Sequence, residues 1–216
     1  MENGELLRTS KKLKYNIYVF SFISIFIILI ASVLYILVPR GKPIELLTSD
    51  GLFEFINDGD IICRLGNRFW SQIFKETSNT DKRYSHLGII RIRDGVATVI
   101  HSEGTTGQGK DFVKEQPIDD FLQIARAIGI YRAKNVDGAQ ISDTSREYLG
   151  RSFDWKFDLK DASEVYCTEL LYLVLSRLMS EIELKTIYLK ELGRDIIPLE
   201  AISNSDYFSE IYYRAH

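Results

Sequence analysis

Hydrophobic residues are distributed unevenly along this chain of 216 residues, and the longest uninterrupted run lies near its N-terminus. The 22 residues from Ile17 to Val38 carry no charge. At a helical rise of about 1.5 Å per residue such a run spans about 33 Å, enough to cross the hydrocarbon core of a bilayer. The run therefore predicts a transmembrane helix over residues 17–38, with residues 1–16 as a basic N-terminus and residues 39–50 as a polar linker.

The residues that flank this run predict its orientation. A cleaved signal peptide is the alternative to a retained anchor, but its apolar region is usually about 7–15 residues long and ends at a small-residue cleavage site, whereas this run continues into LVPRGKP. Four basic residues precede the run and two follow it closely: Arg8, Lys11, Lys12 and Lys14, then Arg40 and Lys42. The positive-inside rule places the N-terminus in the cytoplasm and the remainder outside. An inverted anchor would exclude cell-wall chemistry but leave peptide or lipid chemistry open.

Beyond the linker, short apolar runs alternate with amphipathic stretches, which predicts a single domain over residues 51–216. Strands are predicted for IICRL, for both arms of a hairpin around Asp94-Gly95, and for Ile128 to Arg132. Helices are predicted for RFWSQIFKET, Pro117 to Ile124, Gln140 to Leu149, and a helical C-terminal part that starts with EVYCTELLYLVLSRLM. Strands followed by helices indicate an α+β fold with a mainly antiparallel sheet.

The hairpin turn also predicts a register. With Asp94-Gly95 as a two-residue loop, Arg93 pairs with Val96, and Gly88 then lies opposite His101. His86 and His101 share one face in this register, and we expect Gly88 to leave the space between them open. A three-residue loop would instead move His101 to the other face.

Charge narrows the functional classes. The chain has a net charge of −3, and removing residues 1–42, with 6 basic and 2 acidic residues, leaves 21 basic and 28 acidic residues, or −7. An acidic domain is not typical of a nucleic-acid binder. We therefore expect no nucleic-acid partner.

Two imidazoles on one face suit a general base and a partner that orients it. The alternative is that each histidine is a half-buried sheet residue with a structural role. Metal binding is a weaker alternative, because two histidines with Glu103 lack the spacing of a known zinc motif. We predict no metal and no cofactor.

The two cysteines differ in their surroundings. Cys63 lies in an apolar strand and is interpreted as a buried structural thiol. Cys167 lies near the start of a helix that Asp161 or Ser163 could cap, where the helix dipole is expected to favour the thiolate. In an oxidising compartment the two cysteines could instead form a disulfide.

Several segments together resemble a known family. In order along the chain they are GDII (59–62), YSHLGI (84–89), VIH (99–101), YLGRSFDWKF (148–157), YCTEL (166–170) and PLEAIS (198–203). The series resembles the circularly permuted, YiiX-like branch of the NlpC-type cysteine peptidases over about residues 51–206. This resemblance implies a papain-like fold in which the nucleophile helix follows the strands.

The resemblance also implies roles for particular residues. The family's nucleophile matches Cys167, with Thr168 in place of the family's Ser, and its base matches His86. The third, orienting residue matches His101, where this branch often has Glu, and Glu103 is the alternative. The expected reaction is cleavage of an amide bond through a Cys167 thioester.

The remaining expectations concern the pocket and the substrate. Tyr84 and Tyr166 lie next to the segments of His86 and Cys167 and are expected either to shape the pocket or to support it by packing. Asp60, Asp154 and Glu169 are interpreted as structural. A cell-wall peptide or another peptide is the expected substrate. A lipid-directed acyl hydrolase or acyltransferase, and a catalytically inactive binding module, are the alternatives.

Overall fold

The computed structural model of the chain describes residues 51–67, 69–104 and 111–215. The predicted N-terminal segment, transmembrane helix and linker lie outside these ranges. Within them, no helix combines the length and the apolar character that a membrane crossing requires.

The described part contains eight strands and five helices. The strands are β1 (Ile61–Gly66), β2 (His86–Arg93), β3 (Val96–Ser102), β4 (Val113–Pro117), β5 (Ala125–Ala133), β6 (Ile187–Leu189), β7 (Arg194–Ile196) and β8 (Phe208–Ala215). The helices are α1 (Phe69–Lys75), α2 (Ile118–Leu122), α3 (Gly138–Arg146), α4 (Cys167–Leu178) and α5 (Glu200–Ser203). Six strands form one sheet in the order β4-β3-β2-β1-β5-β8, and β6 pairs with β7. Every pairing in the main sheet is antiparallel, which confirms the predicted α+β class.

The predicted hairpin register is confirmed. Arg93 pairs with Val96 and Ile89 with Ile100. Asp94 and Gly95 have φ values of 54° and 77°, the left-handed values that a type I′ turn requires at both central positions. The Asp-Gly pair is suited to this turn because Gly has no Cβ and Asp tolerates positive φ.

Two predictions about the chain's elements are wrong. The C-terminal part is not uniformly helical, since three strands follow α4 and β8 pairs with β5 at an edge of the main sheet. β4 at the opposite edge was not predicted, because VKEQP carries charged and half-buried side chains. Both are edge strands, and an edge strand lacks the strong apolar signal of a central one.

Each face of the main sheet has its own core. Leu87 and Ile89 of β2 pack with Leu170 and Val174 of α4 on one face. Residues of the opposite parity, such as Ile90, belong to a second core with α2. The alternation of side chains along β2 therefore directs His86 toward the α2 side, while Leu87 faces α4.

Candidate active site

The two histidines of the hairpin contact each other directly. His86 Nε2 and His101 Nδ1 lie 2.8 Å apart, which is hydrogen-bond distance. His101 is fully buried and His86 is half-buried. The structure thus brings the predicted base and its predicted orienting partner together.

Gly88 makes the close approach of the rings possible, but not by leaving an open space. A Cβ built at Gly88 would lie 2.4 Å from Cγ1 of Val99 and 3.0 Å from Cβ of His101. The expectation of a gap is therefore wrong, because these two side chains of β3 already fill the position. Any larger residue would clash first with Val99 and would also press on His101.

Phe121 of α2 packs against both imidazoles. Its ring stacks on His86 with centroids 5.6 Å apart and meets His101 edge-on at 5.2 Å. The Arg64 guanidinium lies 4.2 Å from the centroid of the same ring. Phe121 therefore holds the imidazole pair and the guanidinium in one cluster.

The alternative orienting residue, Glu103, is engaged elsewhere. Its carboxylate forms an ion pair with Arg64, and its Oε2 lies 3.4 Å from Lys114 Nζ. Arg64 also donates to the backbone carbonyl of Phe121. The geometry therefore favours His101 over Glu103 as the residue that orients His86.

Burial, and next the nearby Arg64 guanidinium, lower the pKa of both imidazoles well below the usual value. Lys114 of β4 acts in the same direction on both rings. His101 Nε2 is buried without a well-formed hydrogen bond within the described ranges, although the Gln116 side chain is near enough to raise its pKa slightly against these effects. Both rings are therefore neutral near pH 7, the state in which an imidazole can accept a proton.

Cys167 is the first residue of α4. Tyr166 occupies the N-cap position, and its backbone N–H donates to Glu169 Oε2 at 3.3 Å. The predicted capping by Asp161 or Ser163 is wrong, because that segment forms a separate turn in which Asp161 accepts from the Ser163 N–H. The structural interpretation of Glu169 is confirmed.

Three side-chain hydrogen bonds fix the start of α4. Ser102, at the end of β3, donates from its hydroxyl to the carbonyl of Val165 at 2.6 Å. The Thr168 hydroxyl donates to the carbonyl of Ile197 at 2.6 Å, and the Ile197 N–H donates to the Tyr166 hydroxyl at 2.9 Å. The helix start is thereby joined both to the histidine hairpin and to the segment after β7.

The Cys167 thiol is not activated by a lowered pKa. Burial raises its pKa to about 11, and the backbone N–H groups of Leu87, Thr168 and Cys167 only partly oppose that increase. The expectation that the helix dipole would favour the thiolate is therefore wrong for the resting site, because desolvation outweighs it. No hydrogen bond joins the thiol to an imidazole in the described part of the chain, so the resting pair is a neutral thiol and a neutral imidazole.

His86 and Cys167 line the same cavity, whose volume is about 610 Å³. Tyr166 also lines it, as predicted, but Tyr84 is absent from its described lining. Tyr84 is instead buried in the core, where its ring stands over Gly129 and its hydroxyl lies 3.3 Å from that of Tyr131. Tyr84 therefore has the packing role that was the alternative to shaping the pocket.

Asp60, Asp154 and Cys63 lie in structural positions. Asp60 pairs with Arg132 at 2.8 Å, and Asp154 accepts from the backbone N–H of Lys156 at 2.8 Å. Cys63 is buried and, like Cys167, is a free thiol. The disulfide considered for these two cysteines is not formed.

The ligand atoms of His86, His101 and Glu103 lie within 4.8 Å of one another, so the fit of a metal ion needs testing. The two imidazole nitrogens are already hydrogen-bonded to each other, and the carboxylate is paired with Arg64 and Lys114. A divalent cation would have to break these contacts and would meet two positive charges. The donor set therefore fits a metal poorly.

Sequence reasoning missed several residues that position the site. In the sequence, Arg64 is one polar residue in an apolar strand. In the sheet, it lies opposite His86 in the register of β1 and β2. A buried Arg in a central strand is rare, and that rarity was the available signal. Phe121 and Ser102 carry no comparable signal, because an aromatic in a helix and a serine after a strand are ordinary.

Comparisons with known proteins agree with this fold. The sequence profile of a family described as "Permuted papain-like amidase enzyme, YaeF/YiiX, C92 family" matches residues 55–199, more than half of the chain. The crystal structure of the metalloprotein YiiX from Escherichia coli O157:H7 is similar in fold, with a TM-score of 0.63 at 16% sequence identity. That similarity covers 75% of this chain and 99% of the YiiX chain. A search of curated proteins gave no match.

Proposed function

This chain belongs to the YaeF/YiiX family of permuted papain-like amidases, and from that premise we propose that it cleaves an amide bond through a thioester on Cys167, with His86 as the general base. The family makes the chain an enzyme of the cysteine amidase or peptidase type. The residue roles, the substrate and the membrane attachment are our own proposal, as is the wider placement among NlpC-type peptidases.

One observation carries the assignment of residues. The hydrogen-bonded pair of His86 and His101 opens onto the same cavity as a cysteine at the first position of a helix. Nucleophile, base and orienting group are the parts that acyl transfer by a thiol requires. An inactive binding module would not need all three groups, so their joint presence favours an enzyme.

The hydrogen bond between the rings supports Nδ1 of His86 as the atom that acts as the base. Because His86 Nε2 is engaged by His101, Nδ1 is the nitrogen left to receive the thiol proton. For Nδ1 to be unprotonated, His86 must donate from Nε2 to His101 Nδ1, which fixes both tautomers. His101 thus acts by positioning, without itself touching the substrate.

The reaction then runs in two balanced halves. His86 takes the Cys167 proton as sulfur attacks the amide carbonyl, and the backbone N–H of Cys167 at the helix start stabilises the oxyanion. The C–N bond breaks, the amine leaves with the proton from His86, and the acyl group remains as a thioester. Water attacks the thioester after losing a proton to His86, which releases the acid and restores the thiol.

Two classes of substrate share this chemistry. A peptide, including a cell-wall peptide, is the first candidate, because an amide bond is what the family cleaves. A lipid-directed acyl hydrolase or acyltransferase is the second, and the many apolar side chains of the cavity favour it. No step needs a metal or a cofactor.

The proposal includes attachment to a membrane. The uncharged run of 22 residues at 17–38 supports a single transmembrane helix, with the N-terminus in the cytoplasm and the catalytic domain outside.

The test compares active-site variants of the detergent-solubilised chain on a panel of acyl and peptidyl amides of 7-amino-4-methylcoumarin. We expect Cys167→Ala to abolish hydrolysis and His86→Ala to lower kcat/KM by about 10²–10⁴-fold. His101→Ala should lower kcat/KM more than Glu103→Gln does. His101→Asn should lower it less than His101→Ala, because the Asn side chain can accept the His86 hydrogen bond.

Cys63→Ala is the matched control, because it removes the other thiol, which does not line the cavity. Folding of each variant is checked by circular dichroism. Retained hydrolysis in Cys167→Ala would overturn the proposed nucleophile, and a larger loss for Glu103→Gln than for His101→Ala would reassign the orienting residue.

A further inference from the structure

Polar side chains of three neighbouring strands form a row on the α2 side of the main sheet. His86 on β2 and His101 on β3 are hydrogen-bonded at 2.8 Å. On β4, Lys114 pairs with His101. Gln116 pairs with Val99, two residues before His101, so Gln116 is the diagonal neighbour of that imidazole on the same face. The row therefore continues from the two imidazoles to the Gln116 amide.

The last imidazole nitrogen of this row is enclosed by protein. His101 is fully buried, and its Nε2 has no well-formed hydrogen bond within the described residues. A buried N–H that lacks an acceptor costs free energy. Arg64 and Lys114 act on this ring, but both are donors and cannot accept from an N–H. The Gln116 side chain is half-buried beside the ring and carries a carbonyl oxygen, so it can accept.

The proposed mechanism requires Nε2 of His101 to be a donor. His86 receives the thiol proton at Nδ1 only while its own proton is on Nε2, from which it donates to Nδ1 of His101. A neutral His101 that accepts at Nδ1 carries its one proton on Nε2. That N–H requires an acceptor at the end of the row, which is where the register places Gln116.

The opposite orientation of the Gln116 amide would block the base. Its NH2 group would donate to an unprotonated Nε2 of His101, whose proton would then be on Nδ1. His101 would donate to Nε2 of His86, and the His86 proton would occupy Nδ1, where the thiol proton has to go. The Gln116 side chain acts to raise the pKa of His101, which is the direction expected of an acceptor, since a carbonyl favours the protonated ring.

We propose that Gln116 is a positioning residue whose side-chain carbonyl accepts the His101 Nε2–H and thereby fixes the tautomers of both histidines. This inference rests on the proposed function, because the tautomers matter only if His86 is the base for Cys167. The proton that leaves the Cys167 sulfur goes to Nδ1 of His86 and departs with the amine. None moves to Gln116, because an amide carbonyl is too weak a base, so Gln116 acts only through the hydrogen bonds of the row.

The first test compares Gln116→Met with the wild-type full chain on the coumarin amides. Met keeps a long unbranched side chain and removes both polar atoms. We expect kcat to fall by about 3–10-fold, the factor that corresponds to one hydrogen bond. KM should not change, because Gln116 is absent from the described lining of the cavity. Gln116→Glu keeps an acceptor and should retain more of the wild-type kcat. An unchanged kcat in Gln116→Met, or an equal loss in Gln116→Glu, would overturn the proposal.

Glu115→Met is the matched control. Glu115 is the adjacent half-buried residue of β4 and faces the other side of the sheet, where it accepts from the Thr98 hydroxyl at 2.6 Å. The variant alters the same edge strand without touching the imidazoles, so we expect its kcat to stay within about twofold of wild type. Circular dichroism checks the folding of every variant. An equal loss of kcat in Glu115→Met would assign the effect to the strand and overturn the proposal.

Imidazole nitrogen NMR of the full chain measures the tautomers without any substrate. The chain has three histidines, so the resonances are assigned with His86→Ala and His101→Ala. We expect a proton on Nε2 of both rings in the wild type and a mixture of tautomers in Gln116→Met. A proton on Nδ1 of wild-type His101, or unchanged tautomers in folded Gln116→Met, would overturn the proposal.

The same set of variants separates failure of this inference from failure of the proposed function. If Cys167→Ala and His86→Ala lose hydrolysis but Gln116→Met does not, only the role of Gln116 fails. If Cys167→Ala still hydrolyses the amides, the proposed function fails, whichever tautomers the histidines adopt.

Discussion

Neutrality of the His86 and His101 pair is the central property of the site at the scale of single residues. Burial and Arg64 lower both imidazole pKa values, while burial raises that of Cys167 to about 11. A resting thiolate–imidazolium pair is therefore disfavoured. Proton transfer has to accompany attack on the substrate, so His86 serves as a general base and not as the counter-ion of a preformed thiolate.

The role of Arg64 leads to a prediction about pH. The guanidinium disfavours protonation of both rings, so Arg64→Met should raise the His86 pKa and move the acidic limb of the kcat/KM profile to higher pH. Activity should fall more at pH 5 than at pH 8, because the base is lost wherever it is protonated. The measurement is the full pH profile of hydrolysis for both proteins.

Arg91→Met is the control for Arg64→Met. Arg91 lies on β2 and pairs with Glu115 at 3.5 Å, and it is not among the groups that shift the His86 pKa. An acidic limb that stays in place in folded Arg64→Met would contradict the electrostatic role of Arg64.

Some of these residues were predictable from the sequence and some were not. The Asp-Gly turn fixes a register, and the register places His86 and His101 on one face. The direction of the Cys167 pKa shift was not predictable, because it depends on how far the folded chain buries the thiol. Arg64 enters the site through pairing between β1 and β2, which no local pattern determines.

The start of α4 is the element on which the site depends. Its N-cap residue, Tyr166, is not a typical capping residue, and Glu169 instead accepts the Tyr166 N–H. Burial raises the pKa of Glu169 to about 8 from an ordinary value of 4.5. A carboxyl group is therefore kept close to its neutral form beside the nucleophile.

The raised pKa of Glu169 predicts how stability changes with pH. Between pH 4.5 and about 8 the folded state binds more protons at this group than the unfolded state, so the group's contribution to stability falls as pH rises through that window. Glu169→Gln keeps an acceptor without the charge. We expect the free energy of unfolding of the variant, relative to that of the wild type, to increase by more than about 1 kcal/mol between pH 4.5 and pH 8.

Urea unfolding of the full chain in detergent, at several pH values, measures this difference. Glu147→Gln is the control, since Glu147 is exposed and forms a surface pair with Arg177 on α4. That control should change stability by less than about 0.5 kcal/mol at every pH. A constant difference between Glu169→Gln and wild type across the range would contradict the buried carboxyl.

Whether the sequence predicted a strand depends on the position of that strand in the sheet. β1, β5 and the hairpin are central, and their apolar patterns predicted them. β4 and β8 form the two edges, where one side of each strand lacks a partner and side chains are partly exposed. Their sequences therefore resemble loops or helices, and only pairing within the fold identifies them.

At the scale of the whole molecule, we propose that the chain is attached to a bilayer. The uncharged run at residues 17–38 is the observation that supports this attachment. The family match begins at residue 55, after the predicted anchor and linker.

Membrane attachment predicts a fractionation result. The full chain should stay in the membrane pellet after an alkaline carbonate wash and be released by detergent, because about 20 apolar residues suffice to span a bilayer. A chain lacking residues 1–42 should be found in the supernatant, and a reporter fused after His216 should be active only outside the cytoplasm. Release of the full chain by carbonate, or a cytoplasmic reporter, would contradict the predicted anchor or its orientation.

The most direct test of the central claim is to trap the acyl-enzyme. The full chain is mixed with an activated acyl substrate, quenched in acid within the first turnover, and analysed by intact and peptide mass spectrometry. The account predicts a mass increase equal to the acyl group, located at Cys167, removed by hydroxylamine and absent in Cys167→Ala. Turnover of the substrate with no adduct, or with an adduct at Cys63 instead, would contradict it.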